Sequence, residues 1–154
     1  MKVLLIQPPH AGRDSILFPS GLGYIARSLQ DIGCEVGVLD IHAHKFNKEE
    51  TVREIQGLNY DAVGINAFST QYSYIKWLTN ELKYYHQGKI ILGGPLPSFN
   101  PSLVLEKTKA DICVIGEGEV TIKSIIENIN HLEKVSGIYF SKNRGGKSQS
   151  PKNT

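Results

Sequence analysis

The sequence predicts an α/β protein: a doubly wound, five-stranded parallel sheet with helices on both faces and a short extra edge strand near the C-terminus. Three observations predict it. Short apolar runs alternate along the chain with stretches in which apolar residues recur at helical spacing. The runs are continuous rather than polar and apolar by turns, as expected of strands buried on both faces of a parallel sheet. A length of 154 residues supplies one domain with enough core to fold without disulfides or a structural metal.

Residues 3–6 form the first apolar run, bounded by Pro8 and Pro9. Leu22, Ile25, Ala26, Leu29 and Ile32 then recur at helical spacing, and Gly33 stands where a helix ends in a left-handed residue. The alternation continues with a strand over 35–39, a polar helix over 48–56 and a strand over 62–65. A helix carrying Ile75, Leu78, Leu82 and Tyr85 on one face follows, then a strand over 89–92, a short helix over 101–107 and a strand over 112–115. The last helix presents Ile125, Ile126, Ile129 and Leu132, and an edge strand lies around 135–141. Consecutive βα units of this kind build a parallel sheet covered on both sides. Residues 1–141 are therefore read as one domain, and the polar, basic stretch 142–154 as a disordered tail or the start of a linker, since it has too little apolar surface to fold.

Composition narrows the function classes. Hydrophobic residues at 40% and charged residues at 21% are ordinary for a globular protein. A net charge of +2 without a basic stripe argues against nucleic acid as a partner. The apolar start is too short for a signal sequence or a membrane span, so the reading is cytoplasmic, with no membrane partner. Cys34 and Cys113 sit among apolar neighbours without metal-ligand spacing, as inert thiols of a reducing compartment do.

In a doubly wound sheet the ligand lies at the carboxyl ends of the strands, where the strand order reverses. After strand four, Gly93 and Gly94 bring bare backbone to that edge, and Pro95 and Pro97 hold the turn rigid. After strand five, Gly116-Glu117-Gly118-Glu119 offers backbone N–H groups ahead of a helix N-terminus. Each loop alone reads equally as a tight βα turn with capping chemistry; two together favour a ligand surface. Ser69 and Thr70 can cap the helix after strand three or meet a ligand. The long first loop runs into Pro19, Gly21, Leu22 and Gly23, as if backbone packed against a bulky object. His10 reads as a solvated side chain, and His42 and His44 lack a third ligand, so no metal site is assigned.

The expected signatures of the common ligands of this architecture are missing. The first turn has no acidic cluster, no hydroxyl-rich phosphate loop and no G-x-G-x-x-G. No nucleophile, base and orienting group come together at the strand ends, so no catalytic residue is assigned. What remains, backbone and hydroxyls, suits holding a large cofactor.

Six stretches in order, "VLLIQPP", "PSGLGYIARSLQDIGCEVGVLD", "YDAVGINAFSTQ", "IILGGPLPS", "ADICVIGEGEVT" and "VSGIYF", resemble the N-terminal cobalamin-binding domain of cobalamin-dependent radical S-adenosylmethionine enzymes, from Met1 to about Phe140. The resemblance implies a flavodoxin-like (Rossmann-like) domain that holds base-off cobalamin, the corrin over the strand ends and the dimethylbenzimidazole nucleotide tail slotted into the sheet edge. By that resemblance Ser69, Thr70 and Ser98 line the tail site, Gly93, Gly94 and Pro95 make room for it, and Gly116, Glu117 and Gly118 close its side. Gln7, Pro8 and Pro9, with Gly21, Leu22 and Gly23, lie toward the corrin.

Two departures qualify it. Pro8-Pro9-His10-Ala11-Gly12 stands where other cobalamin domains have D-x-H-x-x-G, so the aspartate that orients a cobalt-binding imidazole is missing and His10 is not assigned to cobalt. The C-x-x-x-C-x-x-C that holds a [4Fe–4S] cluster is missing too. The cluster and S-adenosylmethionine are thus expected only in a radical catalytic domain, of methyltransferase type, outside this chain and working in cis or in trans. The alternative is a stand-alone flavodoxin-like binding or regulatory protein for a nucleotide or another metabolite; a third is an interaction domain acting through the basic tail.

Overall fold

The computed structural model describes residues 1–10, 12 and 19–141; most of the first loop and the expected tail at 142–154 lie outside the described residues. Six strands form one sheet: β1 (Lys2–Gln7), β2 (Glu35–Asp40), β3 (Ala62–Asn66), β4 (Lys89–Gly93), β5 (Ile112–Val114) and β6 (Ile138–Phe140). Their order is β2-β1-β3-β4-β5-β6. The first five run parallel and β6 joins β5 antiparallel, as the edge strand anticipated from sequence. The chain leaves β1 for β2 on one side and returns to β3 on the other, which puts the switch in strand order between β1 and β3.

The helices are α1 (Ser20–Asp31), α2 (Ile41–His44), α3 (Lys48–Gln56), α4 (Tyr72–Tyr85), α5 (Pro95–Phe99), α6 (Pro101–Lys107) and α7 (Gly118–Glu127). Because side chains alternate along a strand, the sheet has two distinct cores. On one face Val3, Leu5, Ala62, Ile91, Ile112 and Val114 meet Leu22 and Leu29 of α1 and Ile122, Ile125 and Ile126 of α7. On the other, Leu4, Ile6, Val63, Ile65, Ile90, Leu92 and Cys113 meet Ile55 of α3, the α4 stripe Ile75, Leu78 and Leu82, and Val104 of α6. That stripe is wholly buried, each member contributing about 1.5–3 kcal/mol by removal from water. Burial also pushes the Cys113 thiol up to about 12, which leaves it protonated and inert.

Local chemistry fixes the element ends. Gly33 adopts φ 82°, and the bonds Gly33 N to Gln30 O (2.9 Å) and Cys34 N to Leu29 O (3.1 Å) complete a Schellman closure of α1. Asn47 and Glu50 cap α3 reciprocally. At the opposite end of the sheet from the strand tips, Asp111 accepts from Lys83 Nζ (2.6 Å) and Ile90 N (2.7 Å), tying α4 to the starts of β4 and β5.

Three elements differ from the sequence expectation. A one-turn helix, α2, follows β2 because the Asp40 carboxylate accepts from Ala43 N (2.9 Å) and Ile41 is drawn into the core. The segment after Gly94 is a short helix, not a rigid turn: Pro95 occupies its first position, where a fixed φ and a missing N–H cost nothing. Helix α7 stops at Glu127, since Asn128 folds both its N–H (3.1 Å) and its Nδ2 (3.0 Å) back onto Ser124 O. Ile129 and Leu132 still pack on the same core from beyond the helix.

Candidate functional site: a glycine-lined slot at the strand ends

Leu5, Gly64 and Ile91 are register partners and form a row across β1, β3 and β4 on the face covered by α1 and α7. One step up the strands, on the same face, stand Gln7, Asn66 and Gly93. A cavity of about 200 Å³ opens there. Its floor is Leu5, Gly64, Ile91 and Val114; its walls are Leu22 and Ile25 of α1 and Ile122 of α7; Gly21, Asn66, Gly93, Gly94, Gly116 and Glu119 ring its mouth.

Missing side chains keep this space open. A Cβ on Gly21 or Gly93, both of which line the cavity, would meet nothing within 4 Å, so a side chain at either would enter open space. A Cβ on Gly118 would stand 3.1 Å from Ile25 Cδ1 across the slot, and one on Gly64 2.9 Å from Leu5 Cδ2. Gly94 answers a different demand. Its φ of 94° strongly favours glycine, and a Cβ there would lie 2.7 Å from Asn66 Oδ1 and 2.9 Å from Ala67 O. Of the pair after strand four, Gly93 leaves room in the slot and Gly94 lets two loops pass each other.

The loops around the mouth are cross-tied. Ala67 N donates to Gly93 O (2.8 Å) and Leu96 N to Ala67 O (3.0 Å), joining the ends of β3 and β4. Ser98 joins β4 to β5: its hydroxyl donates to Gly94 O (3.1 Å) and accepts from Gly116 N (3.0 Å). The buried Gln7 holds the start of the first loop, accepting from Asn66 Nδ2 (3.2 Å) and donating to Pro8 O (3.2 Å). Gln71 reinforces it by donating to Pro9 O (3.0 Å) while accepting from Phe68 N (2.9 Å).

His10 is not a solvated side chain. It is half-buried, its Nε2 accepts from Gln7 Nε2 (3.0 Å) and its backbone N–H donates to His42 Nδ1 (3.0 Å). Its ring packs edge-on against His42 and Phe68. His44 turns away to donate to Asp40 O (2.8 Å). No three His, Cys, Asp or Glu side chains converge as a metal site among the described residues.

The sequence-predicted residues fall into three groups. Gly21, Leu22, Gly93, Gly94, Gly116 and Gly118 line the cavity. Gln7, Pro8, Pro9 and Ser98 frame it through the bonds just described. Ser69, Thr70, Pro95 and Glu117 are exposed and outside the lining, and Gly23 lies within α1 on its exposed side. Neither Ser69 nor Thr70 caps α4; the carboxamide of Gln71 takes the Phe68 N–H instead. Sequence reasoning missed Leu5, Ile25, Gly64, Ile65, Asn66, Ile91, Val114, Glu119 and Ile122 as lining residues. The available signal was strand parity: apart from Ile65, the strand residues among them share the face of the glycine in mid-β3.

These features define a class, a doubly wound α/β domain that presents an apolar, glycine-lined slot at its strand ends. Residues 11–126 match the family model of the B12 binding domain, and the chain belongs to that family. Its cofactor is accordingly cobalamin. An uncharacterized methyltransferase of Pyrococcus horikoshii is 26% identical, over 90% of this chain and 31% of its own. The cytidylyl-2-hydroxyethylphosphonate methyltransferase of Streptomyces wedmorensis is 27% identical, over 96% of this chain and 32% of its own. Two solved structures share the fold. The radical S-adenosylmethionine methyltransferase TsrM of Kitasatospora setae, with cobalamin and a [4Fe–4S] cluster bound, superposes with a TM-score of 0.82 at 20% identity, covering 94% of this chain and 29% of its own. The cobalamin-dependent S-adenosylmethionine radical enzyme OxsB, with aqua-cobalamin and S-adenosylmethionine bound, gives 0.80 at 17% identity, covering 97% and 22%. The chain thus spans less than a third of the length of these proteins. No helix among its described residues is long and apolar enough to cross a membrane.

Proposed function

We propose that this domain holds cobalamin base-off, with the nucleotide tail in the slot and the corrin over the strand ends, for a radical S-adenosylmethionine catalytic domain in the same or a neighbouring chain. That domain would hold the [4Fe–4S] cluster and S-adenosylmethionine, and the reaction would be a methyl transfer. The observation that carries the reading is the slot itself: bare backbone at Gly21 and Gly93 facing open space above an apolar floor.

The residues present fit the group. Gly93 and Gly116 give a nucleotide access to backbone, and Leu22, Ile25 and Ile122 enclose a ring against the sheet. The Gln7–Asn66 pair and Gln71 hold Pro8 and Pro9 at the site's edge, so this pair of residues is in place before binding and costs less entropy to engage. Bound cobalamin supplies a cobalt centre able to carry a methyl group. The exposed apolar side chains of Tyr24, Phe99 and Val120, on the three helices nearest the mouth, suit a covering catalytic domain. Two free thiols, Cys34 and Cys113, accord with the cytoplasm.

The test is to incubate the protein with hydroxocobalamin, remove unbound ligand by desalting and record the visible spectrum. About one retained cobalamin per chain is expected. A colourless protein would overturn the proposal in favour of a nucleotide or other metabolite in the same slot.

A further inference from the structure

The slot distinguishes among tails, provided that it receives a cobamide tail as proposed above. We infer that it selects the lower base, accepting a benzimidazole and discriminating against a purine such as adenine.

The inference rests on what the deep end of the slot lacks. Leu5, Ile91, Val114 and Ile122 present only hydrocarbon there, and Gly64 presents no side chain at all. Backbone offers no substitute, because the N–H and C=O groups of β1, β3 and β4 at Leu5, Gly64 and Ile91 lie in a continuous parallel ladder. Among the described residues, side-chain polar groups line the slot only at its mouth, as the Asn66 carboxamide and the Glu119 carboxylate. Neither Asn66 Oδ1 nor Glu119 has a hydrogen-bond partner among the described residues, so both remain available to accept from the sugar hydroxyls of a tail at the mouth, away from the base.

A base joined to its sugar through the five-membered ring enters with the six-membered ring leading. In dimethylbenzimidazole that ring carries two methyl groups, which gain by leaving water for the apolar floor. In adenine it carries ring nitrogens and an exocyclic amine, which would lose water and find no partner. One unmatched buried polar group weakens binding about tenfold or more.

Three ligands test this by equilibrium dialysis against the wild-type protein: cobalamin, the cobamide with adenine as lower base, and cobinamide, which has no nucleotide tail. Cobalamin is expected to bind at least about tenfold more tightly than the adenine cobamide, and both more tightly than cobinamide. Equal affinity for the two complete cobamides, with cobinamide weaker, would overturn the selectivity while leaving the tail in the slot. Equal affinity for all three would overturn both the selectivity and the seating of the tail. Failure of all three to bind would overturn the proposed function itself.

Discussion

The two faces of the sheet are built from the same strands and come out differently. Toward α3, α4 and α6, Val63, Ile65, Ile90 and Leu92 fill every position up to the strand tips and the layer is closed. Toward α1 and α7, the residues alternating with them include Gly64, Asn66 and Gly93, and the layer stays open at the same height. One sheet therefore has a closed face and an open one, and the proposed function assigns the open one to the ligand. The difference lies in a few absent side chains, since the helices covering both faces carry the same aliphatic residues.

Adjacent positions on β4 and in its loop separate these roles. Leu92→Ala should have the largest effect, costing about 2–5 kcal/mol in urea unfolding because it opens a cavity in the closed face. Cobalamin affinity per folded molecule should be unchanged. Gly93→Leu, one residue on, should do the reverse: unfolding free energy within about 1 kcal/mol of wild type, since its Cβ enters open space. Cobalamin affinity should fall about a hundredfold, roughly 2.7 kcal/mol, by dialysis. If Gly93→Leu bound cobalamin normally, the open face would lose its assigned purpose.

Gly94→Ala sharpens the contrast within the loop. It should destabilise the protein by about 1–3 kcal/mol through left-handed strain and contact with Asn66 and Ala67, with any loss of binding following from that distortion. Gly21→Ala should have the smallest effect. Alanine in the first turns of α1 should raise stability by about 0.5 kcal/mol in thermal unfolding, while its methyl group at the mouth weakens cobalamin several-fold. A gain in both stability and affinity would show that the mouth lies elsewhere.

The fold was legible because its strands are buried on both faces and read as unbroken apolar runs, with Gly33 marking a helix end by backbone geometry alone. What escaped was decided by local hydrogen bonds that periodicity does not register. Asp40 winds α2 from a stretch that spells His-Ala-His, and Asn128 ends α7 inside an aliphatic pattern. The glycine loops of the site were legible as bare backbone. Its apolar walls were not, since Leu5, Ile91 and Val114 look the same in a sequence whether they meet a packed side chain or an empty slot. Gly64, in the middle of a buried strand, was the one local sign that something else must come close. The hydroxyls of Ser69 and Thr70 stand out by residue type, yet it is the carboxamides of Gln7, Asn66 and Gln71 that tie Pro8 and Pro9 to the end of β3.

The most direct test of the central claim is the visible spectrum of methylcobalamin titrated with the protein at neutral pH. Seating the tail in the slot takes the benzimidazole off cobalt, so the long-wavelength band should move to shorter wavelength in proportion to bound protein, and Gly93→Leu should abolish the shift. Methylcobalamin that binds with its base-on spectrum unchanged would contradict the account.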